Sequence, residues 1–371
     1  MLIKAANVFL PQGIFQKCDV RFSDTIEEIG SVSDTADINA TGCYLIPGLI
    51  DIHTHGALGF DFSDGQQEQL PAMAQHYARH GITSFLATTM TLSEDILSEA
   101  AHAIGSFVPG ENESRCIGIN LEGPFLSYEK RGAQNADYLH VPDFPMFDRI
   151  DQASGGHIRL VDIAPELPGA DAFIKQASKR CAVSLAHTAA DYDTAVHAYV
   201  LGATHVTHLF NGMSAFHHRN PGVVGAAMDQ RAYAEVVCDG IHLHPSVVRA
   251  AFAMFPNRIT LISDSLRCAG MPEGEYILGG QNFTLKNGKA TLSDGTIAGS
   301  RITLLEGLQN AVQFGIPLTV AVAAATINPA QAIRMADKVG CIAVGRCADL
   351  LLLDKDLQPK AIFLRGHQYQ E

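Results

Sequence analysis

Short apolar runs recur along this chain, and most of them end in a polar or ionisable residue. Runs of this kind are typical of buried parallel strands. Segments with the spacing of amphipathic helices lie between many of the runs, for example over residues 66–81 and 169–179. Eight strands are predicted in this way, at residues 45–55, 84–89, 116–122, 159–166, 182–187, 205–208, 234–242 and 259–264.

The alternation of eight strands with helical segments predicts an α/β fold, specifically a (β/α)8 TIM-type barrel. In such a barrel, ionisable residues at the carboxyl ends of the strands converge on one mouth. The alternative is a generic α/β protein whose strand ends are polar only because loops are polar. The recurrence of His, Glu and Asp at most of the eight ends favours the barrel.

The two ends of the chain carry a different pattern. Shorter β-like stretches with turn residues between them occupy residues 1–9, 18–22, 26–29, 348–354 and 362–366. Neither end can close a core alone, so we expect them to pair into one small β-domain with the termini close together. The predicted organisation is a small β-domain made of residues 1–47 and 339–371, and a barrel made of residues 48–338.

Composition and charge narrow the class of protein. Hydrophobic residues make up 47% of the 371 residues and charged residues 18%, which is ordinary for a soluble globular protein. The formal net charge of −13 argues against a nucleic-acid partner, because nucleic acids bind basic surfaces. No stretch approaches the ~20 apolar residues of a membrane helix, so we expect no membrane contact. The eight cysteines form no C-x-x-C pair, which favours a reducing cytoplasm.

The strongest local signal is the motif D-I-H-T-H at residues 51–55. In an extended strand, His53 and His55 point to the same face and can bind one divalent cation together. Two such histidines alone are more often ordinary surface residues. Four more donors stand at the ends of other predicted strands, and they are Glu122, His187, His208 and Asp264. Together the six residues predict a metal site.

The chemistry of these donors indicates which metals fit. Nitrogen and oxygen donors without thiolates suit zinc, iron or manganese, and we expect one or two divalent ions per chain. Glu122 can bridge two ions, while Asp264 can both bind a metal and move protons. Each residue taken singly also has a structural interpretation, as a buried His bonded to a carbonyl or a carboxylate that caps a helix.

Several motifs resemble a known family. P-G-L-I-D-I-H-T-H-G at residues 47–56 resembles the opening signature of the amidohydrolase superfamily, and V-G-R-C-A-D-L at 344–350 resembles its return to a small β-domain. Five further stretches resemble the N-acetylglucosamine-6-phosphate deacetylase family within it. They are L-E-G-P-F at 121–125, A-P-E at 164–166, T-H-L-F-N-G-M at 207–213, D-G-I-H at 239–242 and I-A-G-S at 297–300. The matches stand in family order from about residue 45 onward.

The resemblance implies a role for each donor. Glu122, His187 and His208 match the ligands of the metal present throughout the family. His53 and His55 match ligands of a second ion, which some members bind. Asp264 matches the catalytic aspartate.

The resemblance also implies substrate contacts, and the matching residues are Gln134, Asn211, Gly212, Arg219 and His242. Asn211 and Gly212 match residues that hold the sugar and its phosphate. Arg219 matches a phosphate-binding arginine that in some members reaches across a dimer interface, so we expect a homodimer. Gln134 stands where some members have a histidine that polarises the scissile carbonyl. A glutamine amide can donate a hydrogen bond there but cannot carry a proton charge.

The expected function is metal-dependent hydrolysis of the acetamide of N-acetylglucosamine-6-phosphate to glucosamine-6-phosphate and acetate. The alternatives are an N-acetylgalactosamine-6-phosphate deacetylase, another amidohydrolase acting on a small amide, or a silent barrel that only binds a sugar phosphate. A dihydroorotase-like branch is disfavoured because no lysine ends a later strand. A silent barrel would be indicated by loss of a ligand or of the aspartate, and neither is lost.

Overall fold

The first five strands of the chain belong to a mixed sheet in the computed structural model, which describes residues 1–370. They are β1 Leu2–Phe9, β2 Phe15–Phe22, β3 Ile26–Gly30, β4 Ile38–Asn39 and β5 Tyr44–Pro47. β1, β2 and β3 pair antiparallel in that order, while β4 and β5 run parallel to β1. Along β2, Cys18, Val20 and Phe22 are buried and the residues between them are more exposed. This period of two marks a strand with one covered face.

Eight parallel strands follow and form the predicted barrel. They are β6 Leu49–Thr54, β9 Ile82–Thr89, β10 Arg115–Leu121, β11 Ile158–Ile163, β12 Ala182–Leu185, β13 His205–Val206, β14 Tyr233–Val237 and β15 Ile259–Ile262. Each strand pairs with the next in chain order. The sheet curves until its two edges meet, where the Asp264 N–H donates to the His53 carbonyl at 2.9 Å. A short hairpin, β7 Gly56–Ala57 with β8 Phe60–Asp61, follows the first barrel strand.

The single strand predicted over residues 45–55 is wrong, because β5 and β6 are separate strands in different sheets. Pro47 has no N–H to donate to a ladder, and strands are commonly interrupted at such a residue. Gly48 passes so close to Thr83 that a Cβ atom added there would lie 2.2 Å from its side chain. The chain therefore crosses from one sheet to the other at this dipeptide.

In residues 1–370, ten α-helices surround and connect the strands. They are α1 Leu70–Arg79, α2 Glu94–Gly105, α3 Phe144–Ala153, α4 Ala170–Ala177, α5 Tyr192–Leu201, α6 Gly222–Asp229, α7 Pro245–Met254, α8 Leu304–Gln313, α9 Leu318–Ala325 and α10 Ile327–Ala332. α1 and α4 confirm the two predicted helical segments. Side chains of Ser93, Asp143, Asp191 and Thr303 accept first-turn N–H groups and so fix where four helices begin. None of the helices in residues 1–370 is long and apolar enough to cross a membrane.

A four-stranded antiparallel sheet between β15 and α8 was not predicted, and we call it the mouth sheet. Its strands are β16 Gly274–Leu278, β17 Gln281–Lys286, β18 Lys289–Leu292 and β19 Ile297–Gly299. The sequence did carry one signal for it. Asn287 and Gly288 join β17 to β18 with φ values of 52° and 74°, and Asn-Gly is the preferred pair for such a hairpin turn.

The last three strands return to the first sheet. They are β20 Leu350–Leu353, β21 Pro359–Leu364 and β22 His367–Gln368, and β20 pairs antiparallel with β5. We call the combined eight strands the terminal sheet. The prediction that both chain ends build one small β-domain beside a TIM-type barrel is thus confirmed, while the exact boundaries at 47/48 and 338/339 stay predictions. The rings of Phe22 and Phe363 in this sheet pack edge to face, with their centroids 5.1 Å apart.

Candidate metal centre at the mouth of the barrel

The six predicted metal ligands lie at the carboxyl ends of the barrel strands. His53 is in β6, and His55, Glu122, His187, His208 and Asp264 follow the ends of β6, β10, β12, β13 and β15 within two residues. All six are buried, with 0–7% of their surface exposed. Seven of the eight predicted strands extend too far toward their carboxyl ends, because their terminal polar residues lie in the loops beyond the hydrogen-bonded ladder.

These side chains surround a cavity of about 230 Å³. Its lining includes His55, Glu122, His187, His208 and Asp264, while His53 lies beneath it. The other lining residues come from neighbouring loops and the mouth sheet, and they are Met90, Gly132, Ala133, Gln134, Asn211, Gly212, His242, Thr296, Ile297, Ala298 and Gly299.

Glu122, His187 and His208 form the first of two donor groups. One ligand atom from each lies within 4.8 Å of the others. Glu122 Oε1 is 3.2 Å from the Nε2 atom of each histidine, and the two Nε2 atoms are 3.0 Å apart. The Nδ1 atoms face backbone carbonyls of Lys130 and Asn211 at 2.8 and 3.1 Å. An Nδ1–H bonded in this way leaves the Nε2 lone pair free for a metal.

His53, His55 and Asp264 form the second donor group by the same criterion. Asp264 Oδ1 lies 3.7 Å from His53 Nε2 and 3.6 Å from His55 Nε2. Glu122 faces this group as well, since its Oε1 is 3.5 Å from His53 Nε2 and its Oε2 is 3.2 Å from His55 Nε2. Glu122 therefore lies between the two groups.

The donor set fits divalent cations. Among residues 1–370, the buried Nε2 atom of His53 has no hydrogen-bond partner, although it is aimed at two carboxylates. A buried polar atom without a partner costs about 1–3 kcal/mol, which a metal ligand bond would offset. Imidazole and carboxylate donors without thiolates match zinc, iron and manganese.

Electrostatic coupling between the donors is strong. Burial raises the pKa of Glu122, but the imidazoles of His53, His187 and His208 outweigh burial and hold it well below its usual range. Burial lowers the pKa of His53, but the carboxylates of Glu235 and Glu122 raise it well above its ordinary value. The carboxylate at the centre of the site is therefore ionised at neutral pH, as a metal ligand must be.

The backbone at three donors is unusual. His187, His208 and Asp264 have φ values of 42°, 29° and 49°, in a region that side chains other than glycine rarely adopt. Such residues cost about 1–3 kcal/mol each and persist where the surrounding structure fixes them. The Asp264 peptide is held on both sides, by the His53 carbonyl and by the Ser300 N–H at 2.7 Å. The strained turns aim all three side chains into the cavity.

Four of the five predicted substrate residues line the cavity, and Arg219 does not. Arg219 is exposed and lines a separate surface depression with Asp191, Tyr192 and Asn220. Its predicted phosphate contact stays a prediction. The His242 Nδ1–H donates to Asp239 Oδ2 at 2.7 Å, and His242 Nε2 lies 3.8 Å from Asp264 Oδ2.

Gly212 and Gln134 have structural tasks that their sequence motifs did not reveal. Gly212 has a φ of 60°, and a Cβ atom there would lie 2.8 Å from His187 Nδ1, so the glycine makes room for the His187 imidazole. Gln134 accepts the Thr91 N–H at 2.7 Å and donates to Glu122 Oε2 at 2.6 Å. Its carboxamide is thereby committed to orienting Glu122.

Sequence reasoning missed Glu235, which lies in β14 and is fully buried against His53. A charged residue between Ala234 and Val236 in an apolar strand was the available signal, because burial of an unpaired charge is costly. It also missed the wall formed by the mouth sheet, although the motif at residues 297–300 pointed to that segment.

Comparisons with known proteins agree with this geometry. A model of the amidohydrolase family matches residues 44–368. The N-acetylglucosamine-6-phosphate deacetylase of Bacillus subtilis (strain 168) is 37% identical over 331 residues, covering 87% of this chain and 84% of the relative. The N-acetylgalactosamine-6-phosphate deacetylase of Escherichia coli O157:H7 is 32% identical over 326 residues, covering 87% and 86%.

One solved structure is similar to this chain along nearly the full length of both proteins. It is a mutant of the N-acetyl-D-glucosamine-6-phosphate deacetylase from Mycobacterium smegmatis in complex with N-acetyl-D-glucosamine-6-phosphate. The TM-score is 0.93 at 30% sequence identity, and the match covers 100% of this chain and 99% of that chain.

Proposed function

The chain belongs to the amidohydrolase family, and we propose that it hydrolyses the acetamide of N-acetylglucosamine-6-phosphate to glucosamine-6-phosphate and acetate. The observation that carries the proposal is the pair of adjacent donor groups around one cavity, joined by Glu122. Two N-acetylglucosamine-6-phosphate deacetylases are 37% identical to this chain, and the matches cover 84% and 94% of their lengths. Both support the same reaction.

The metal would be held by the residues already described. Glu122, His187 and His208 would hold one divalent ion, and His53, His55 and Asp264 a second. When bound, such an ion lowers the pKa of a water ligand to about 7 and polarises the amide carbonyl. Zinc, iron and manganese all fit the donors.

Asp264 is the proposed proton carrier. Its carboxylate borders the cavity and is 7% exposed, so it can contact both water and substrate. Asp264 takes a proton from the attacking water and delivers it to the nitrogen as the C–N bond breaks. The amine then leaves neutral, and acetate carries the former carbonyl carbon.

The remaining cavity residues position the sugar. His242, fixed by Asp239, presents Nε2 beside Asp264 and is placed to bond a sugar hydroxyl. Asn211 donates to the carbonyls of His208 and Leu209 at 3.2 Å, which shapes the loop that borders the ligand. Binding energy from the sugar and phosphate positions the amide and does not itself break the bond.

The proposal includes a homodimer located in the cytoplasm. Arg219 of one protomer would contact the phosphate bound by its partner, as the family resemblance implies, and its position outside the cavity is consistent with that arrangement. All eight cysteines are unpaired, which fits a reducing compartment.

A second candidate substrate is N-acetylgalactosamine-6-phosphate, favoured by the Escherichia coli relative at 32% identity. The two sugars differ in the configuration of one hydroxyl. The residues that would bond the acetamide are the same for both.

Acetate release tests the proposal. The protein, reconstituted with zinc, iron or manganese, is assayed with both phosphorylated sugars and with unphosphorylated N-acetylglucosamine. We expect metal-dependent release from N-acetylglucosamine-6-phosphate and little from the others. If the protein preferred N-acetylgalactosamine-6-phosphate, that sugar would be assigned as the substrate instead. If metal were bound and no sugar released acetate, the proposed reaction would be refuted.

A further inference from the structure

Glu235 contacts both donor groups without touching the cavity. Its Oε2 atom lies 3.0 Å from His53 Nδ1 and accepts the backbone N–H of His208 at 3.1 Å. The side chain is fully buried in the barrel interior beneath the donors. It therefore cannot meet substrate, and whatever it does must act through the residues that it holds.

The contact with His53 determines which ring nitrogen carries the proton. An ionised carboxylate only accepts hydrogen bonds, so the hydrogen of a neutral His53 lies on Nδ1. Nε2 then presents its lone pair toward Glu122 and Asp264, at 3.5 and 3.7 Å. This is the form that binds a metal through Nε2.

His53 differs in this respect from the other donor imidazoles. His187 and His208 direct Nδ1 to backbone carbonyls, which no side-chain substitution removes. In residues 1–370, His55 Nδ1 is buried without a hydrogen-bond partner. The orientation of His53 alone depends on a side chain, and that side chain carries a charge.

We propose that Glu235 is a positioning residue whose charged carboxylate fixes the tautomer and ring orientation of His53 and strengthens its Nε2 as a ligand, and thereby sets the affinity of the His53, His55 and Asp264 group for its cation. The inference rests on the proposed metal centre and extends it beyond the ligands themselves. It requires no contact between Glu235 and substrate.

The substitution Glu235→Gln separates this role from simple packing. The two side chains have the same shape, but a carboxamide has one oxygen and one NH₂ group. Both contacts of Glu235 go to Oε2, so the amide oxygen in that place still accepts the His208 N–H and the His53 Nδ1–H. The substitution removes the negative charge that strengthens the hydrogen bond to Nδ1 and makes Nε2 a better metal ligand.

Asp162 supplies a matched control. It is also a fully buried carboxylate of the barrel interior, in β11, and it accepts a hydrogen bond from Thr207 Oγ1 at 2.8 Å. Thr207 is not one of the six donors. Asp162→Asn therefore converts a buried carboxyl group of the same region to an amide and leaves the hydrogen bond of His53 in place.

The experiment measures metal content and affinity without substrate. Wild type, Glu235→Gln and Asp162→Asn are loaded with zinc, desalted, analysed by elemental mass spectrometry and titrated with a competing chelator. We expect two ions in wild type and Asp162→Asn. In Glu235→Gln one ion should bind with unchanged affinity and the other about 10–100-fold more weakly.

Two results would overturn the proposal. Either Glu235→Gln would bind both ions with wild-type affinity, or the wild-type protein would hold only one ion.

In a chain that already carries His53→Asn, Glu235→Gln should have no further effect on metal affinity, whereas a purely structural role of Glu235 would still lower that affinity. If Glu235→Gln does not fold, Glu235→Asp tests the same contact with the charge kept, and should weaken the same ion. Because no sugar is present, failure of the acetate assay would not alter the outcome.

Discussion

The barrel interior and the terminal sheet bury different kinds of side chains. Beneath the cavity the barrel buries ionisable groups, and they include Asp51, His53, Asp162, His205 and Glu235, each with 0% exposure. The core of the terminal sheet is apolar, built from residues such as Ile3, Val8, Phe22, Leu45 and Phe363. Within residues 1–370, buried side-chain polar atoms that have no hydrogen bond occur in the barrel and in its loops but not in residues 1–47 or 339–370.

This difference separates the region that performs chemistry from one that supplies stability. Burying ionisable groups in an apolar interior is costly, so the barrel interior is not arranged for maximal stability. The terminal sheet buries apolar area at about 25 cal/mol per Å², with no such penalty. Substitutions in the barrel should therefore change catalysis or metal binding, and substitutions in the terminal sheet should change stability.

The largest effect is expected for Asp264→Asn. The amide keeps the shape of the side chain and one oxygen, but it cannot carry a proton between water and the leaving nitrogen. Turnover of N-acetylglucosamine-6-phosphate should fall by about 10²–10⁴-fold, the usual contribution of general acid–base catalysis. Steady-state kinetics of acetate release measure this loss.

Thermal unfolding and the metal affinity of the Glu122, His187 and His208 group are the controls for that variant, and both should stay close to wild type. Near-normal turnover would remove Asp264 from the mechanism. A large drop in unfolding temperature would show instead that the barrel interior also carries stability, which would break the separation between the two regions.

The converse substitution is Phe363→Ala in the terminal sheet. Phe363 is fully buried and packs edge to face on Phe22 at 5.1 Å. Its truncation should lower the free energy of unfolding by about 3–5 kcal/mol, as large-to-small changes at buried aromatics do. Denaturant titration gives that value, and kcat of the folded protein at low temperature should be unchanged. A parallel fall in kcat would mean that the terminal sheet positions the catalytic groups.

The same contrast explains what could be predicted from sequence. The strands that carry His53, Glu122, His187, His208 and Asp264 were found because apolar runs end in polar residues, and parallel strands in a barrel deliver those ends to one mouth. The terminal sheet was found because both chain ends show short β-like stretches with turn residues between them, and neither end can close a core alone. These stretches and the polar strand ends are visible in short segments of sequence.

Features that depend on distant partners were not predictable. Gln134 orients Glu122 only because the Thr91 N–H, 43 residues earlier, holds its oxygen. Glu235 meets His53 across 182 residues of chain. No single-sequence pattern indicates such pairings. The mouth sheet was missed for another reason, since its strands have 3–6 residues and only the Asn287-Gly288 turn marks them.

Gln134 supplies a prediction of intermediate size that sharpens the comparison inside the barrel. Gln134→Ala removes the hydrogen bond to Glu122 Oε2, and loss of such a partner to a ligand typically costs 10–100-fold, so we expect about that loss in metal affinity or kcat. Gln134→Glu adds a second carboxylate 2.6 Å from Glu122 and should be worse. Chelator titration and kcat are measured for both. Equal activity of the two variants with wild type would mean that Glu122 needs no support.

The smallest effect concerns Asp19, a charged residue in the terminal sheet. Its Oδ1 accepts the Ala5 N–H at 2.9 Å and its Oδ2 accepts the Val32 N–H at 3.0 Å. The hydrogen bonds from Val32 and Ala5 lower the pKa of Asp19 below its ordinary value. A lowered carboxyl pKa contributes stability above the unfolded-state pKa of about 3.9, and that stability is lost as pH falls through the folded-state value.

Asp19→Asn should therefore lower the free energy of unfolding by about 1 kcal/mol at pH 7, because its NH₂ group cannot accept the second N–H. The difference from wild type should shrink below pH ~4, where wild type also loses the charge. Denaturant titrations across pH give the two curves. If the difference in free energy of unfolding stayed constant down to pH ~2, the charge of Asp19 would not contribute to stability. Asp19 would then stabilise the terminal sheet only by packing, like the apolar residues around it.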